Sequence, residues 1–215
     1  MRTYRQFCAL AKALDVVGDR WSLLVVRELL IRGPSRYTDI RRGLPGIATN
    51  LLADRLRELE EAGVVRRSTA RPPVATPLFE LTPRGEELRD VVLALGRWGS
   101  PLMMEASDED EFQTHWLTLP LTLRLVDHAP ADPPVSIQVL TGDEPLLIEA
   151  RDGRVHTRLA SAERPDAVLE GPHRVVSGLL VGRLDLDAAR SRGARYEGDP
   201  RTLARVQPNA APARA

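Results

Sequence analysis

Cysteine and long apolar runs are almost absent from this 215-residue sequence, and both absences narrow the class of protein. Cys8 is the only cysteine, so no disulfide can form within the chain, and a reducing compartment is expected. No apolar run approaches the roughly 20 residues that a membrane-spanning helix needs. The N-terminus also lacks the apolar core of a signal peptide. We therefore expect a cytoplasmic protein with no membrane partner.

The sequence also lacks the motifs of catalysis and of metal binding. It contains no Gly-x-Ser-x-Gly nucleophile motif, no phosphate-binding P-loop and no dinucleotide-binding fingerprint. Its four histidines are scattered, without the paired spacing of metal ligands; they are His115, His128, His156 and His173. These absences predict a protein that is not an enzyme and needs no metal or other cofactor.

The formal net charge of zero hides opposite charges in the two halves of the chain. Residues 1–100 contain 17 basic and 12 acidic residues, whereas residues 101–215 contain 13 basic and 18 acidic ones. This asymmetry fits a DNA-binding module joined to a domain of another kind, although surface charge without a partner would look the same. A chain of this length can form two domains, each with its own core.

One segment has the pattern of a helix that reads DNA. Leu52, Leu56 and Leu59 recur at helical spacing and predict one buried stripe, and Gly63 ends the segment. The opposite face carries small polar side chains and the guanidinium of Arg57, which suit hydrogen bonding to base edges in a major groove. The candidate DNA contacts on this helix are Thr49, Asn50, Ala53, Asp54, Arg55 and Arg57.

The flanking segments turn this helix into a predicted winged helix-turn-helix. A short helix over 36–42, capped by Ser35, precedes it, and two short strands near 64–67 and 78–81 follow it. In the loop between these strands, Arg67 and Arg71 are expected to lie along phosphates, and Arg36 is a further phosphate candidate. A solvated turn is the alternative for this loop.

The other helices of this half carry more apolar surface than a small core needs. A first helix is predicted from Thr3 to Val17, and a second, capped by Asp19, from Arg20 to about Arg32. A third follows the N-cap Thr82. The first and third have apolar faces made of Phe7, Leu10, Leu14 and Val17, and of Leu88, Val91, Val92, Leu95 and Trp98. These faces predict a homodimer on double-stranded DNA with a pseudo-palindromic operator. The alternative is that both faces fold back onto the core of a monomer.

Residues 7–99 resemble the HxlR-type transcriptional regulators, which are winged-helix proteins. The motifs that carry the resemblance include Gly18-Asp19-Arg20-Trp21-Ser22-Leu23-Leu24, Gly33-Pro34-Ser35-Arg36-Tyr37-Thr38-Asp39-Ile40, Leu52-Ala53-Asp54-Arg55-Leu56-Arg57-Glu58-Leu59 and Phe79-Glu80-Leu81-Thr82-Pro83-Arg84-Gly85. Two positions depart from the family pattern: Ala48 replaces its usual serine and Ala9 replaces a frequent proline. The first departure leads us to expect a cap at Thr49 or a helix shifted by one residue. The resemblance implies a regulator of transcription, most often a repressor.

Two interpretations apply to Cys8. Its position near an apolar stripe indicates a small buried residue. The family resemblance implies instead that this cysteine senses oxidants or electrophiles, as in some members. Lys12, one helical turn away, is the only neighbour on the sequence that would favour the thiolate.

The second half of the sequence predicts a small α+β domain. Residues 1–103 are assigned to the winged helix-turn-helix domain, 104–111 to an acidic linker, 112–207 to this second domain and 208–215 to a disordered tail. Strands are predicted near 135–140, 146–150, 155–159, 167–170 and 195–197, and helices over 172–181, 185–192 and from about 200 to 206. Residues 112–126 predict a short helix or a kinked segment.

The second half resembles the sterol-carrier-protein type of lipid-binding domain. The resemblance rests on Pro165-Asp166-Ala167-Val168-Leu169-Glu170-Gly171, Leu179-Leu180-Val181-Gly182-Arg183-Leu184 and Tyr196-Glu197-Gly198-Asp199-Pro200. It implies a small antiparallel sheet packed against helices, with an apolar tunnel between them. The candidate lining residues are Ile137, Val139, Leu147, Val155, Val168, Val176, Leu179 and Leu180. A closed core would use the same side chains.

Taken together, these patterns predict a regulator whose operator binding is modulated by an apolar or amphipathic small ligand. Two alternatives remain open at this stage. In the first, the second domain is a ligandless module for dimerisation or interaction. In the second, the protein is a thiol sensor acting through Cys8.

Overall fold

The chain forms two compact units in a computed structural model, Met1–Glu105 and Ala106–Ala215. The structure describes residues 3–70, 76–104, 107 and 109–209. Each unit combines helices with a β-sheet, so the predicted α+β class is confirmed. No helix in the described part of the chain is both long enough and apolar enough to span a bilayer.

The first unit is a set of helices followed by a two-stranded hairpin and two more helices. Its elements are α1 (Ala9–Val17), α2 (Ser22–Arg32), α3 (Tyr37–Arg42), α4 (Thr49–Glu61), β1 (Val65–Thr69), β2 (Pro77–Leu81), α5 (Pro83–Glu86) and α6 (Leu88–Gly99). A 3₁₀ segment, Ser100–Met104, follows α6. Strands β1 and β2 are antiparallel, with Arg67 opposite Phe79. The predicted order of helix, turn, helix and hairpin is therefore present.

The core of this unit lies between α2 and α4. Val25, Val26 and Leu29 of α2 are buried, as is the leucine stripe of α4. Gly63 has a φ of 70°, a left-handed conformation that costs glycine little, and it lets the chain leave α4 for β1.

The first helix is shorter than predicted. It begins at Ala9 rather than near Thr3, and residues 3–8 before it form neither helix nor strand. Asp15 anchors this segment, because its carboxylate accepts hydrogen bonds from Thr3 Oγ1 at 3.0 Å and from the Tyr4 backbone N–H at 2.8 Å. Phe7, predicted on the helix, therefore lies outside it.

Two predicted N-caps in the first unit are wrong because the residues have other partners. Helix α2 starts after Trp21 with no side-chain cap, and the carboxylate of Asp19 is paired with Arg55 instead. Helix α3 starts after Arg36, while Ser35 is buried and its backbone bridges to Phe79.

The cap of α4 also differs from the prediction. Ala48 is the N-cap residue and supplies no side-chain hydrogen bond, and Thr49 is already inside the helix. By contrast, the Thr82 cap of α5 is confirmed, since Thr82 Oγ1 accepts a hydrogen bond from the Gly85 backbone N–H at 3.1 Å.

The apolar faces of α1 and α6 remain largely exposed, although Val17 at the end of α1 is buried. None of the residues of α6 is buried, and Leu95 and Trp98 are 50% and 74% exposed. On α1, Leu10 and Leu14 are exposed as well. The alternative in which these faces fold back onto the core of one chain is therefore not observed.

The second unit is a five-stranded sheet with helices. Its elements are a 3₁₀ turn (Thr114–Leu117), α7 (Thr118–Arg124), β3 (Val135–Leu140), β4 (Leu146–Arg151), β5 (Arg154–Leu159), β6 (Ala167–Glu170), α8 (His173–Leu180), α9 (Leu186–Ser191), β7 (Arg195–Gly198) and α10 (Pro200–Arg205). The short helix predicted within 112–126 thus corresponds to the 3₁₀ turn and α7. Pro120 is the third residue of α7, where it costs little.

The sheet is mixed rather than antiparallel, which corrects the prediction. The strand order is β5-β4-β3-β6-β7, and β6 runs parallel to β3 while the other pairs are antiparallel. The change arises because β3, β4 and β5 form a meander and the chain then crosses back to the free edge of β3. The side chain of Gln138 on β3 holds this crossing segment, accepting from the Ala162 N–H at 2.8 Å and donating to the Ala160 carbonyl at 3.1 Å.

The core of the second unit lies on one face of the sheet. Alternate residues of β3, β4 and β6, including Ile137, Ile148 and Leu169, form one buried cluster with Val176 and Leu180 of α8. Such alternation follows from the two-residue period of a strand.

A buried ion pair secures the last helix of this unit. Arg205 donates to both carboxylate oxygens of Asp127, at 2.8 and 3.1 Å, and also to the carbonyls of Pro133 and Asp132. Pro208 forms a β-bridge with Leu125, so the first residue of the predicted disordered tail is held in place. The tail's residues 210–215 lie outside the described residues.

Candidate nucleic-acid interface

The outer face of α4 presents most of the candidate DNA contacts. Its leucine stripe packs inward, and Thr49, Asn50, Ala53 and Arg57 are exposed on the other side. Asp54 is half-exposed and accepts a hydrogen bond from Arg57 Nη2 at 2.9 Å. The exposed face therefore combines an amide, a hydroxyl and a guanidinium, which are groups that can bond to base edges and phosphates.

Arg55, also predicted as a DNA contact, does not share this face. Its side chain is only 13% exposed, and its Nη1 atom is bonded to the carboxylate of Asp19 and lies 2.8 Å from Glu58 Oε2. The reason is the helical period, which places position 55 beside the buried positions 52, 56 and 59.

The hairpin places basic side chains next to α4. Arg67 is exposed; its Nε donates to Glu60 Oε2 at 3.2 Å and its guanidinium lies 5.4 Å from the ring centroid of Phe79. Both contacts lie near water, so they orient the arginine without fixing it strongly. Arg71, the second predicted contact in this loop, lies outside the described residues.

Helix α3 adds a further basic surface. Arg36 is exposed at its N-terminus, and Thr38, Arg41 and Arg42 line a shallow hollow of about 260 Å³. The hydroxyl of Tyr37 donates a hydrogen bond of 2.6 Å to the carbonyl of Thr49, so the first turn of α4 is tied to α3.

A buried charge cluster lies under the turn between α3 and α4, and the sequence analysis did not identify it. Glu28 on α2 is fully buried, and Arg27 Nη2 donates both to Glu28 Oε1 at 2.7 Å and to the carbonyl of Gly43 at 3.2 Å. A Cβ atom at Gly43 would lie 1.9 Å from Glu28 Oε2, so any larger residue at this turn would displace the buried carboxylate.

The electrostatics of this cluster follow from its burial. Burial lowers the pKa of the Arg27 guanidinium, and the Glu28 carboxylate opposes that shift. The signal available in the sequence was an Arg-Glu pair inside an otherwise apolar helix, because charged residues in such a stripe are seldom buried unless they are paired.

The predicted ligand-lining residues of the second unit fall on two sides of its sheet. Ile137, Val139, Val155, Val176, Leu179 and Leu180 belong to the buried cluster on the helix-covered face. Leu147 and Val168 flank Gln138 on the opposite face, as the register of β3, β4 and β6 shows. A single cavity could therefore be lined only by residues of the first group. This corrects the prediction that all eight residues line one tunnel.

Cys8 is exposed at the N-terminus of α1, which differs from the expected small buried residue. Within residues 3–70, 76–104, 107 and 109–209, no three His, Cys, Asp or Glu side chains cluster in a way that could hold a metal ion.

Comparison with known proteins identifies a matching family and several similar proteins. A family model described as HxlR-like helix-turn-helix matches residues 16–107. The uncharacterized HTH-type transcriptional regulator sll1512 of Synechocystis sp. is 33% identical over 102 residues, which make up 47% of this chain and 75% of that protein. The HTH-type transcriptional regulator YodB of Bacillus subtilis is 31% identical over 86 residues, or 40% of this chain and 76% of that protein.

Solved structures with similar chains include the redox regulator HypR in its oxidized form. Its sequence is 33% identical to this one, and the match covers 44% of this chain and 96% of that chain, with a TM-score of 0.39.

Proposed function

The chain belongs to the HxlR-like helix-turn-helix family, and we propose that it is a dimeric transcription regulator that reads a pseudo-palindromic operator through α4. The observation that carries this proposal is the outward face of α4, where Thr49, Asn50 and Arg57 are exposed while the leucine stripe is buried. Repression is the expected sign of regulation, since a protein held on an operator blocks access to it.

The exposed apolar faces of α1 and α6 support the dimer. Leu10 and Leu14 on one helix, and Leu95 and Trp98 on the other, are large apolar side chains left in water by a single chain. Burying such side chains stabilises by about 1.5–3 kcal/mol each, so a second copy of the same surface is a favourable partner. Two copies of α4 then face two half-sites of an operator.

The test compares one residue expected to read a base with one expected to touch phosphate. Once an operator has been selected from random DNA, Asn50→Ala should relax the preference at one base pair by about 1–3 kcal/mol. Arg67→Ala should instead weaken binding to all sequences alike and make the salt dependence shallower by roughly 0.9 in the slope of log K against log salt.

The control for this comparison is Arg89→Ala, which removes another exposed arginine of the first unit that pairs with Glu86 at 2.9 Å. It should leave operator affinity unchanged. An Asn50→Ala protein that selects the same sequences as wild type would contradict the placement of this face against the bases.

We further propose that the second unit is of the sterol-carrier type and binds an apolar or amphipathic ligand that modulates operator binding. The signature residues given above support this, and so does the apolar cluster between the sheet and α8, to which Ile137, Val139 and Leu180 belong. Typical coupling between two sites is about 1–3 kcal/mol, which would change operator affinity about 5- to 150-fold. Native mass spectrometry of the freshly purified protein reports the dimer and any retained ligand together.

A thiol sensor is the second candidate, and the exposure of Cys8 is the observation that favours it. This candidate replaces ligand sensing if an oxidant releases the wild type from its operator but spares Cys8→Ser. If neither ligand nor oxidant changes operator binding, the second unit serves only dimerisation or interaction.

A further inference from the structure

The corner between α1 and α2 is joined to α4 by a small network of charges. Asp19 lies in this corner, and its carboxylate is bonded to Arg55 Nη1 on α4. The same nitrogen lies 2.8 Å from Glu58 Oε2, one turn further along α4. Asp19 is 57% exposed whereas Arg55 is largely buried, so the network runs from the surface corner into the flank of α4.

Two features cost stability, one in this corner and one at its partner Arg55 on α4. Trp21 has a φ of 83°, in the left-handed region that a bulky side chain rarely adopts, with the guanidinium of Arg20 5.7 Å from its ring centroid. The Nε of Arg55 is buried, and among the described residues it has no hydrogen-bond partner. Such features persist where the surrounding structure holds a functional arrangement in place.

Chain continuity connects this corner to the apolar face of α1. Leu10 and Leu14 are exposed on α1, the helix ends at Val17, and Asp19 follows two residues later. A shift of α1 against a second copy of the chain therefore moves the corner, and through it the partner of Arg55. We propose that Arg55 is a positioning residue, which through Asp19 and Glu58 couples the dimer contact of α1 to the orientation of α4 on the operator. This inference rests on the proposed function.

The two possible roles of Arg55 make opposite predictions for Asp19. If Arg55 bound phosphate, it would have to leave two carboxylates, and removing one of them would favour DNA binding. If Arg55 positions α4 through Asp19, removing either partner disturbs the same contact, and operator binding weakens in both cases.

The experiment uses the full chain on the selected operator, with Asp19→Asn, Arg55→Gln and the double variant. We expect each single variant to lower the ratio of operator to random-DNA affinity about tenfold. The double variant should be no worse than either single variant, because interacting residues are not additive. The slope of log K against log salt should stay as in wild type, since no phosphate contact is lost. Glu86→Gln removes one acidic group from another ion pair of the first unit and is the matched control.

Other results would overturn the inference. If Asp19→Asn binds the operator as tightly as wild type or more tightly while Arg55→Gln binds weakly with a shallower salt slope, Arg55 contacts DNA. If both single variants keep the wild-type ratio of operator to random-DNA affinity, the contact between Asp19 and Arg55 does not position α4. If the Arg55→Gln protein does not fold, Arg55→Lys replaces it in the experiment, since lysine keeps the positive charge with fewer hydrogen-bond donors. A wild type that selects no operator would contradict the proposed function itself, which separates the two failures.

Discussion

The two units differ in whether the same chain covers the apolar face that each presents. In the first unit, α6 has no buried residue although Leu95 and Trp98 recur on one face. In the second unit, the apolar residues on one face of β3 and β4, such as Ile137 and Ile148, lie in one buried cluster with Val176 of α8. Periodicity therefore identifies both apolar faces, but a single chain covers the face of the sheet and leaves the face of α6 without a partner. The difference explains why the first unit is expected to need a second copy.

Buried charge shows a similar contrast. In the first unit, Arg27 and Glu28 lie beneath the turn that leads into α4, next to the surface expected to meet DNA. In the second unit, Arg205 and Asp127 join α10 to the segment after α7. One pair thus supports a reading surface and the other holds a domain together.

The largest effect is expected from breaking the buried pair of the second unit. Asp127→Asn should lower the free energy of unfolding by about 3 kcal/mol, near the lower end for a broken buried pair, because Arg205 keeps two backbone carbonyl partners. Chemical denaturation of the full chain at pH 7, followed by a probe of the second unit, measures this loss.

The pH dependence of this effect sharpens the prediction. The hydrogen bond from Arg205 holds the pKa of Asp127 below its ordinary value, against the opposing effect of burial. A carboxylate with a lowered pKa stabilises the fold above the unfolded pKa of about 3.9 and loses that contribution as the pH falls through the folded pKa. The difference between wild type and Asp127→Asn should therefore shrink below about pH 4. A difference that stays constant down to pH 2 would show that the ion pair is not its source.

A smaller effect is expected at the exposed face of the first unit. Leu95→Ala should weaken the dimer by about 2 kcal/mol, or about 30-fold in the dissociation constant, if this leucine lies at the centre of the contact. Sedimentation equilibrium measures this change. Leu123→Ala removes a leucine of similar exposure from α7 in the second unit and should leave the dimer unchanged. If Leu95→Ala and wild type form dimers with the same dissociation constant, the expectation that a second copy covers this face of the first unit would be contradicted.

The smallest effect on stability is expected from filling the proposed ligand site. Leu180→Trp should abolish uptake of a fluorescent fatty acid with only a modest loss of stability, because the added ring takes space meant for ligand. In a filled core the same change would cost about 1–3 kcal/mol through overpacking. A wild type that takes up no fatty acid, with a Leu180→Trp variant that melts far lower, would favour an interaction module.

The boundaries of most elements follow from local signals. Alternating apolar residues predicted β3 and β4 to within about a residue, and Thr82 before Pro83 marked the start of α5. These signals succeed because a strand or a proline-led helix depends mainly on its own residues. The predicted cap at Asp19 failed because the distant Arg55 competes for its carboxylate. The predicted cap at Ser35 failed because its hydroxyl donates to the carbonyl of Gly33 while its backbone bridges to the distant Phe79.

The sequence by itself determined which faces are apolar, where α4 ends, and which residues of α4 lie opposite its leucine stripe. These follow from the periods of helix and strand and from the backbone freedom of Gly63. Only the tertiary structure decided that Arg55 turns toward Asp19, that Glu28 lies beneath Gly43, and that β6 runs parallel to β3. These depend on contacts between residues far apart in the chain, and no local pattern encodes which distant partner a charge or a strand will meet.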